Sequence, residues 1–176
     1  PNAVIDLAGG TFGGTGRTGT ILLNAPSTLA PGLSPGILTT GTLYGSSGLT
    51  LAMEVNGPAP GTGYDQLNVI GAVTLNNTTL SLTATGTLPP FSHLVLIEND
   101  GADPVGGQFA GLPEGATLTI GGRELTLSYA GGDGNDVELA SNDPLSYFLA
   151  EGATGGFFDD DVLIANATLT EAPVPM

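Results

Sequence analysis

Apolar and polar residues alternate most clearly from Leu49 to Val55, with Leu49, Leu51, Met53 and Val55 on one face and Thr50, Ala52 and Glu54 on the other. A period of two marks a half-buried β-strand, because successive side chains leave opposite faces of the backbone. The same reading extends along the chain. Residues 3–7 form a short apolar run, Gly9-Gly10 and Gly13-Gly14 break it, and extended runs resume over Thr18–Leu23 and Ile37–Tyr44. Asn56-Gly57 ends the Leu49–Val55 strand, and a Pro- and Gly-rich loop over 57–63 leads to Leu67 and Val69. Val73 and Leu75 share one face, and Leu80 and Leu82 continue it beyond the Asn76-Asn77 corner. Asparagine tolerates the left-handed conformation such a corner needs. The predicted inward set is Leu49, Leu51, Met53, Val55, Leu67, Val69, Val73, Leu75, Leu80 and Leu82.

Between Thr28 and Leu38, Pro31-Gly32 and Pro35-Gly36 predict two consecutive tight corners, with proline presetting φ and the following glycine taking φ > 0. Further on, His93–Ile97 reads as a strand. Thr117–Ile120 and Leu125–Tyr129 flank Gly121-Gly122-Arg123-Glu124 as one hairpin. Tyr129 and Val137–Leu139 flank Gly131-Gly-Asp-Gly-Asn-Asp136 as a second. Strands recur at short intervals and no segment carries a helical period. The expected fold is therefore all-β without significant helix. A short-strand, β-solenoid-like domain over residues 1–140 ends in an antiparallel hairpin cap at about 111–140. Ser141-Asn-Asp-Pro144 is the expected linker, and residues 145–176 a separate short β segment.

Four segments carry a resemblance: Gly13-Gly-Thr-Gly16, Leu29-Ala-Pro-Gly-Leu-Ser-Pro-Gly36, Tyr64-Asp-Gln-Leu-Asn-Val69, and Gly111-Leu-Pro-Glu-Gly-Ala116 followed by Tyr129-Ala-Gly-Gly-Asp-Gly-Asn-Asp-Val137. In that order they resemble autotransporter-associated β-strand repeat proteins, which are bacterial surface and secreted passengers. The resemblance covers roughly residues 10–140. It implies a right-handed parallel β-solenoid, closed by antiparallel strands, at the bacterial surface or outside the cell. Tyr147-Phe-Leu-Ala-Glu-Gly-Ala-Thr-Gly-Gly-Phe-Phe-Asp159 resembles the opening of a small β-sandwich module of bacterial secreted proteins.

Composition narrows the partners. Two Lys+Arg against 17 Asp+Glu give a net charge of −15. Nucleic acid is excluded as a partner, because phosphate binding needs clustered cations. An anionic membrane surface is disfavoured for the same reason, and small cations are favoured. Hydrophobic content of 40% separates the chain from disordered Gly/Pro-rich sequences. The absence of cysteine removes disulfides and thiolate metal sites. No apolar run reaches transmembrane length, so membrane insertion is not expected. A chain opening at Pro1 reads as a processed or excised piece.

Candidate chemistry is sparse. Gly131-Gly-Asp-Gly-Asn-Asp136 nearly matches a calcium nonapeptide, in which glycine-turned carbonyls and a carboxylate converge on a hard cation. Glu138 stands where that pattern needs an apolar residue, and only one copy is present. A plain hairpin turn is the preferred reading, with weak calcium binding as the alternative. Asp159 and Asp161 would share a strand face and make a separate two-carboxylate cation site, with Glu151 or Asp143 as helpers, a second weak calcium candidate besides Asp133 and Asp136. A solvated acidic strand end is preferred there, and likewise for the loop cluster Glu98, Asp100 and Asp103. No cofactor is otherwise expected. His93, the single histidine, follows Ser92 at a strand start with nothing resembling a nucleophile elbow. Arg17 and Arg123, both read as lying in Gly-rich turns, are too few to hold a polyanionic sugar, and no carboxylate pair suits glycoside hydrolysis. The Asn-x-Thr triplets at Asn76, Asn77 and Asn166 read as ordinary corner and strand residues.

The expected role is structural and non-enzymatic: a stalk, adhesin segment or self-assembling filament subunit. A β-helix carbohydrate-active enzyme and a calcium-dependent binding module are the alternatives. Tyr147, Phe148, Phe157, Phe158, Val162, Ile164 and Leu169 are too apolar for a short segment to bury alone. They are expected to join copies into a homo-oligomer or filament by β-strand addition.

Overall fold

The computed structural model describes residues 3–23 and 25–144. The chain divides into two units, Pro1–Asp143 and Pro144–Met176, and the described residues lie almost wholly in the first. That unit is all-β, with no helix among the described residues.

The strands follow one another in threes: β1 (Ile5–Leu7), β2 (Gly10–Gly14) and β3 (Gly16–Arg17); β4 (Ile21–Leu23), β5 (Ser27–Pro31) and β6 (Ile37–Thr40); β7 (Leu43–Tyr44), β8 (Leu49–Val55) and β9 (Gln66–Val69); β10 (Val73–Thr74), β11 (Thr79–Ala84) and β12 (His93–Asn99). Each strand pairs in parallel with the strand three places away. The sheets therefore run β1-β4-β7-β10, β2-β5-β8-β11 and β3-β6-β9-β12. Beyond β12 the third sheet turns antiparallel through β15 (Asp136–Ser141), β14 (Arg123–Gly131) and β13 (Thr117–Ile120).

Register aligns like with like. Ile5, Ile21, Leu43 and Val73 stack in the first sheet. Leu29, Leu51 and Leu80 stack in the second, and Leu38, Leu67 and Ile97 in the third. Because a one-residue slip would turn each ladder outward, these columns fix the register. Buried side chains of all three sheets merge into one core.

The corners between sheets are built from small residues. Thr40 Oγ1 donates to Gly19 O at 2.7 Å and is fully buried, and the Gly41 N–H donates to the same carbonyl at 3.0 Å. Gly41 sits in a tight place, since a Cβ there would lie 3.0 Å from Thr20 N and would press on the neighbouring backbone. A second fastening is Asp65, 3% exposed. Its carboxylate accepts from the Gly36 N–H and from the Glu54 N–H, both at 2.8 Å. One side chain thus ties the 32–36 corner to the end of β8. Burial pushes the Asp65 carboxyl above its usual range, against the pull of those two N–H groups.

The far end of the core is filled by Phe109, 2% exposed, whose ring lies 6.0 Å from that of Tyr129. The Tyr129 hydroxyl accepts from Phe109 N at 2.9 Å and donates to Leu112 O at 2.7 Å. Residues 106–110 run alongside the fourth set of strands, with Leu75 N donating to Gly106 O at 2.7 Å and Asn77 N to Gln108 O at 2.9 Å.

Several expectations need correction. The glycine breaks and the first Pro-Gly corner conceal two strands, β2 and β5, paired from Gly10↔Ser27 to Gly14↔Pro31. Stacking on neighbours, rather than β propensity, makes them strands. The run 37–44 is two strands in different sheets. Gly32 takes φ 89° as expected, but Ser34, at φ 83°, takes the second left-handed position in place of Gly36. Arg17 and Arg123, read as turn residues, lie in β3 and at the start of β14. Leu80 and Leu82 are only partly buried, because β11 is the edge of its sheet. The other eight predicted inward residues are buried. Both hairpins form, the first as a two-residue loop with Gly121 at φ 55° and Gly122 at φ 77°, the geometry of a type I′ turn.

Leu51→Ala is expected to cost about 2–5 kcal/mol and Leu80→Ala about 1–2 kcal/mol, as measured by chemical denaturation. Equal costs would mean that β11 is not an edge. Asp65 predicts a pH dependence. Its raised carboxyl, like that of Asp136, which burial also pushes up, favours the protonated native state. Their contribution is full below about pH 4, where the unfolded chain is also protonated, and is lost as pH rises through the elevated folded values. Asp143, held low by the Phe91 N–H, acts in the opposite direction. Melting temperature is expected to rise as pH falls from neutrality towards about 4. A flat or opposite profile would contradict this assignment, and Asp65→Asn should reduce the slope.

Candidate functional site

The acidic residues are unevenly placed. Of the 17 acids only Asp6 precedes Glu54, and Arg17 offsets it, so the negative charge belongs to the later strands and the tail. Within the first unit it gathers where the β14–β15 turn meets the end of β12.

That turn is set by Gly132 and Asp136. Gly132 takes φ 55°, and a Cβ there would lie 1.8 Å from Asp136 Oδ2. Asp136, 6% exposed, accepts through Oδ1 from the Asn99 N–H at 2.8 Å. Its burial raises its carboxyl above the usual range. Asn99 Nδ2 donates to Asp103 O at 2.7 Å, and Asn135 Nδ2 donates to the same carbonyl at 3.2 Å. The turn is thereby docked on the 99–103 loop. Asn99 and Asn135 are 2% and 5% exposed, and the Oδ1 atom of each is buried without a hydrogen-bond partner.

A cavity of about 420 Å³ opens beside this junction, lined by Glu98, Asp100, Asp133 and Asp136 together with Tyr64 and Asn99. Sequence reasoning placed Asp133 and Asp136 in a turn and Glu98 and Asp100 in a separate loop. It missed Tyr64 and Asn99 altogether. Only the β12–β15 pairing brings the two groups together, and no local signal announces it.

Among the described residues no three His, Asp or Glu side chains lie close enough to hold one metal ion. The nonapeptide-like turn therefore contributes Asp133 and Asp136 to the cavity wall without assembling a ligand cage. Asp143, read as a helper for a cation, is instead engaged by Arg123, whose Nη1 lies 2.5 Å from its Oδ1. The Phe91 N–H donates to its other oxygen at 2.9 Å. Asp159, Asp161 and Glu151 lie outside the described residues. So do Tyr147, Phe148, Phe157, Phe158, Val162, Ile164 and Leu169.

His93 is exposed, with Nδ1 2.6 Å from Glu138 Oε1, while Ser92 Oγ donates to Pro89 O at 2.8 Å. Glu138 Oε2 also accepts from the Gly132 N–H at 3.0 Å. Glu138, placed where the calcium pattern needs an apolar residue, thus braces the turn from outside.

Gly132→Ala is expected to destabilise by about 2–3 kcal/mol, since it combines positive φ with a clash. Gly122→Ala, with φ 77° and open space around its Cβ, is expected to cost about 1 kcal/mol. Denaturation midpoints of the two variants measure the difference, and equal losses would remove the packing role of Asp136. No family model, curated protein or solved structure matches the chain.

Proposed function

We propose that residues 1–143 are a short β-solenoid that serves as a structural segment of an extracellular bacterial surface protein, a stalk, adhesin segment or filament subunit. The observation that carries this reading is the pairing of every strand from β1 to β12 with the strand three places away, in parallel and in register. Coils stacked in this way form a stiff rod whose length grows with coil number, and such a rod has a mechanical use without any catalytic group. The antiparallel strands β13–β15 extend one sheet past the last coil, and Phe109 fills the core end there. The resemblance to autotransporter-associated repeats points to the same role and location.

Copies are joined, in this reading, by strand addition from residues 145–176. A charge of −15 opposes contact between identical chains, so the joining contacts are apolar and backbone-mediated. A calcium-dependent binding module is the second reading, and it rests on the nonapeptide-like turn over residues 131–136. A β-helix carbohydrate-active enzyme has no observation in its favour.

Electron microscopy and sedimentation of the full chain test the proposal. Rods or filaments are expected, strengthened by salt, and lost when residues 145–176 are deleted. Assemblies that survive the deletion would remove the tail as connector. Monomers under all conditions would remove the filament reading, and dissolution by salt would show ionic contacts instead.

A further inference from the structure

The first and third sheets continue past the fourth set of strands, and the second does not. In the third sheet β15 pairs with β12. Beside β10, residues 106–110 begin a further rung: Gly106 O accepts from the Leu75 N–H at 2.7 Å, Gln108 O from the Asn77 N–H at 2.9 Å, and Thr78 O from the Ala110 N–H at 2.9 Å. At Gly111, φ 71°, the chain turns away, and Gly115 and Ala116 bond instead to Leu127 of β14. Thr78 is the residue before β11, so the rung stops where it would have begun to cover that strand. Among the described residues no strand or isolated bridge pairs with the outer edge of β11.

This edge lacks the features that blunt exposed strands. β11 has six residues, against five in β2, four in β13, three in β1 and two in β3, the other uncovered sheet ends. It holds no charge and no proline, and no Asp, Glu, Lys or Arg lies between Asp65 and Glu98. Leu80 and Leu82 are only partly buried, and an added strand would lengthen the Leu29–Leu51–Leu80 column by one. The rungs beside β10 and β12 occupy the places where a second copy's first and third sheets would stack. A single extended strand beside β11 meets no such obstacle.

We propose that β11 is the acceptor edge for strand addition and that its occupant is residues 162–169 of a second copy. The proposal rests on the strand-addition reading given above and names the surface that receives the strand. Residues 162–169, Val-Leu-Ile-Ala-Asn-Ala-Thr-Leu, carry no charge and outnumber the six residues of β11. On chains of net charge −15, contact between an uncharged segment and an uncharged edge meets the least repulsion. Seventeen residues separate Pro144 from Val162, a reach of up to about 55 Å when extended, which spans to a neighbouring copy. Pairing supplies the edge with backbone partners, and side chains at alternate positions cover Leu80 and Leu82.

The chain has no cysteine, so introduced thiols report contacts directly. Full-length Ser81→Cys, changed at an exposed position of β11, is mixed with full-length Ala165→Cys or Asn166→Cys and mildly oxidised. A disulfide joining two copies is expected for at least one pair. Thr119→Cys, at an exposed position of β13, is expected to give about tenfold less with either tail variant. Ser81→Glu with Thr83→Glu, both at exposed positions, is expected to raise the concentration needed for assembly about tenfold or more without lowering the melting temperature of the single chain. Equal cross-linking through β13, cross-links within one chain only, or assembly unchanged by the two glutamates would overturn β11 as the acceptor. Loss of assembly on deleting residues 145–176 would still support the tail as connector in those cases. Assembly that survives the deletion would remove both.

Discussion

Parallel hydrogen bonding between strands three places apart is the constraint on which the rest of this structure depends. It forces each set of strands to repeat the path of the one before, so inward residues fall into columns and corners fall above corners. The columns Ile5–Ile21–Leu43–Val73 and Leu29–Leu51–Leu80 are consequences of that repetition. They also reward it, because each added strand buries the aliphatic face of the previous one. A chain with little charge before Glu54 can stack this way without like charges meeting across successive strands.

The polar fastenings lie where the repetition is interrupted. Loops of unequal length leave the corners, and each exit exposes backbone donors that the sheets do not satisfy. Asp65 closes one such place by accepting from Gly36 and Glu54. Asp136 closes another by accepting from Asn99 at the end of β12, the strand that lies between a parallel partner, β9, and an antiparallel one, β15. Buried carboxylates are costly, and both are held with raised carboxyl pKa values. Their use where neighbouring backbone needs an acceptor is the common logic of the two sites.

The change of strand direction at β12 also creates the acidic cavity. The antiparallel strands bring the 131–136 turn back against the 98–103 loop, so carboxylates separate in sequence come to share one concavity. There Asn99 donates its side-chain N–H groups to Asp103 O in the loop and Asn135 O in the turn, which fastens the two together.

The sequence by itself determined the all-β class, the inward residues from Leu49 to Leu75 and both hairpins. Each follows from local physics: a period of two, or a glycine pair that takes φ > 0. Strands β2 and β5 were not legible, because glycine and proline signal corners locally, whereas stacking on a neighbour can hold them extended. A sharper signal was present in Thr18-Gly-Thr20 and Thr40-Gly-Thr42, the same corner repeated three strands on, with Ile70-Gly-Ala72 three strands further. The partial exposure of Leu80 and Leu82 depends on which strand ends a sheet, and sequence periodicity does not contain that. The cavity was likewise beyond reach. Its carboxylates are visible as residues, but their neighbourhood is set by the pairing of β12 with β15, a long-range contact that only the tertiary structure decides.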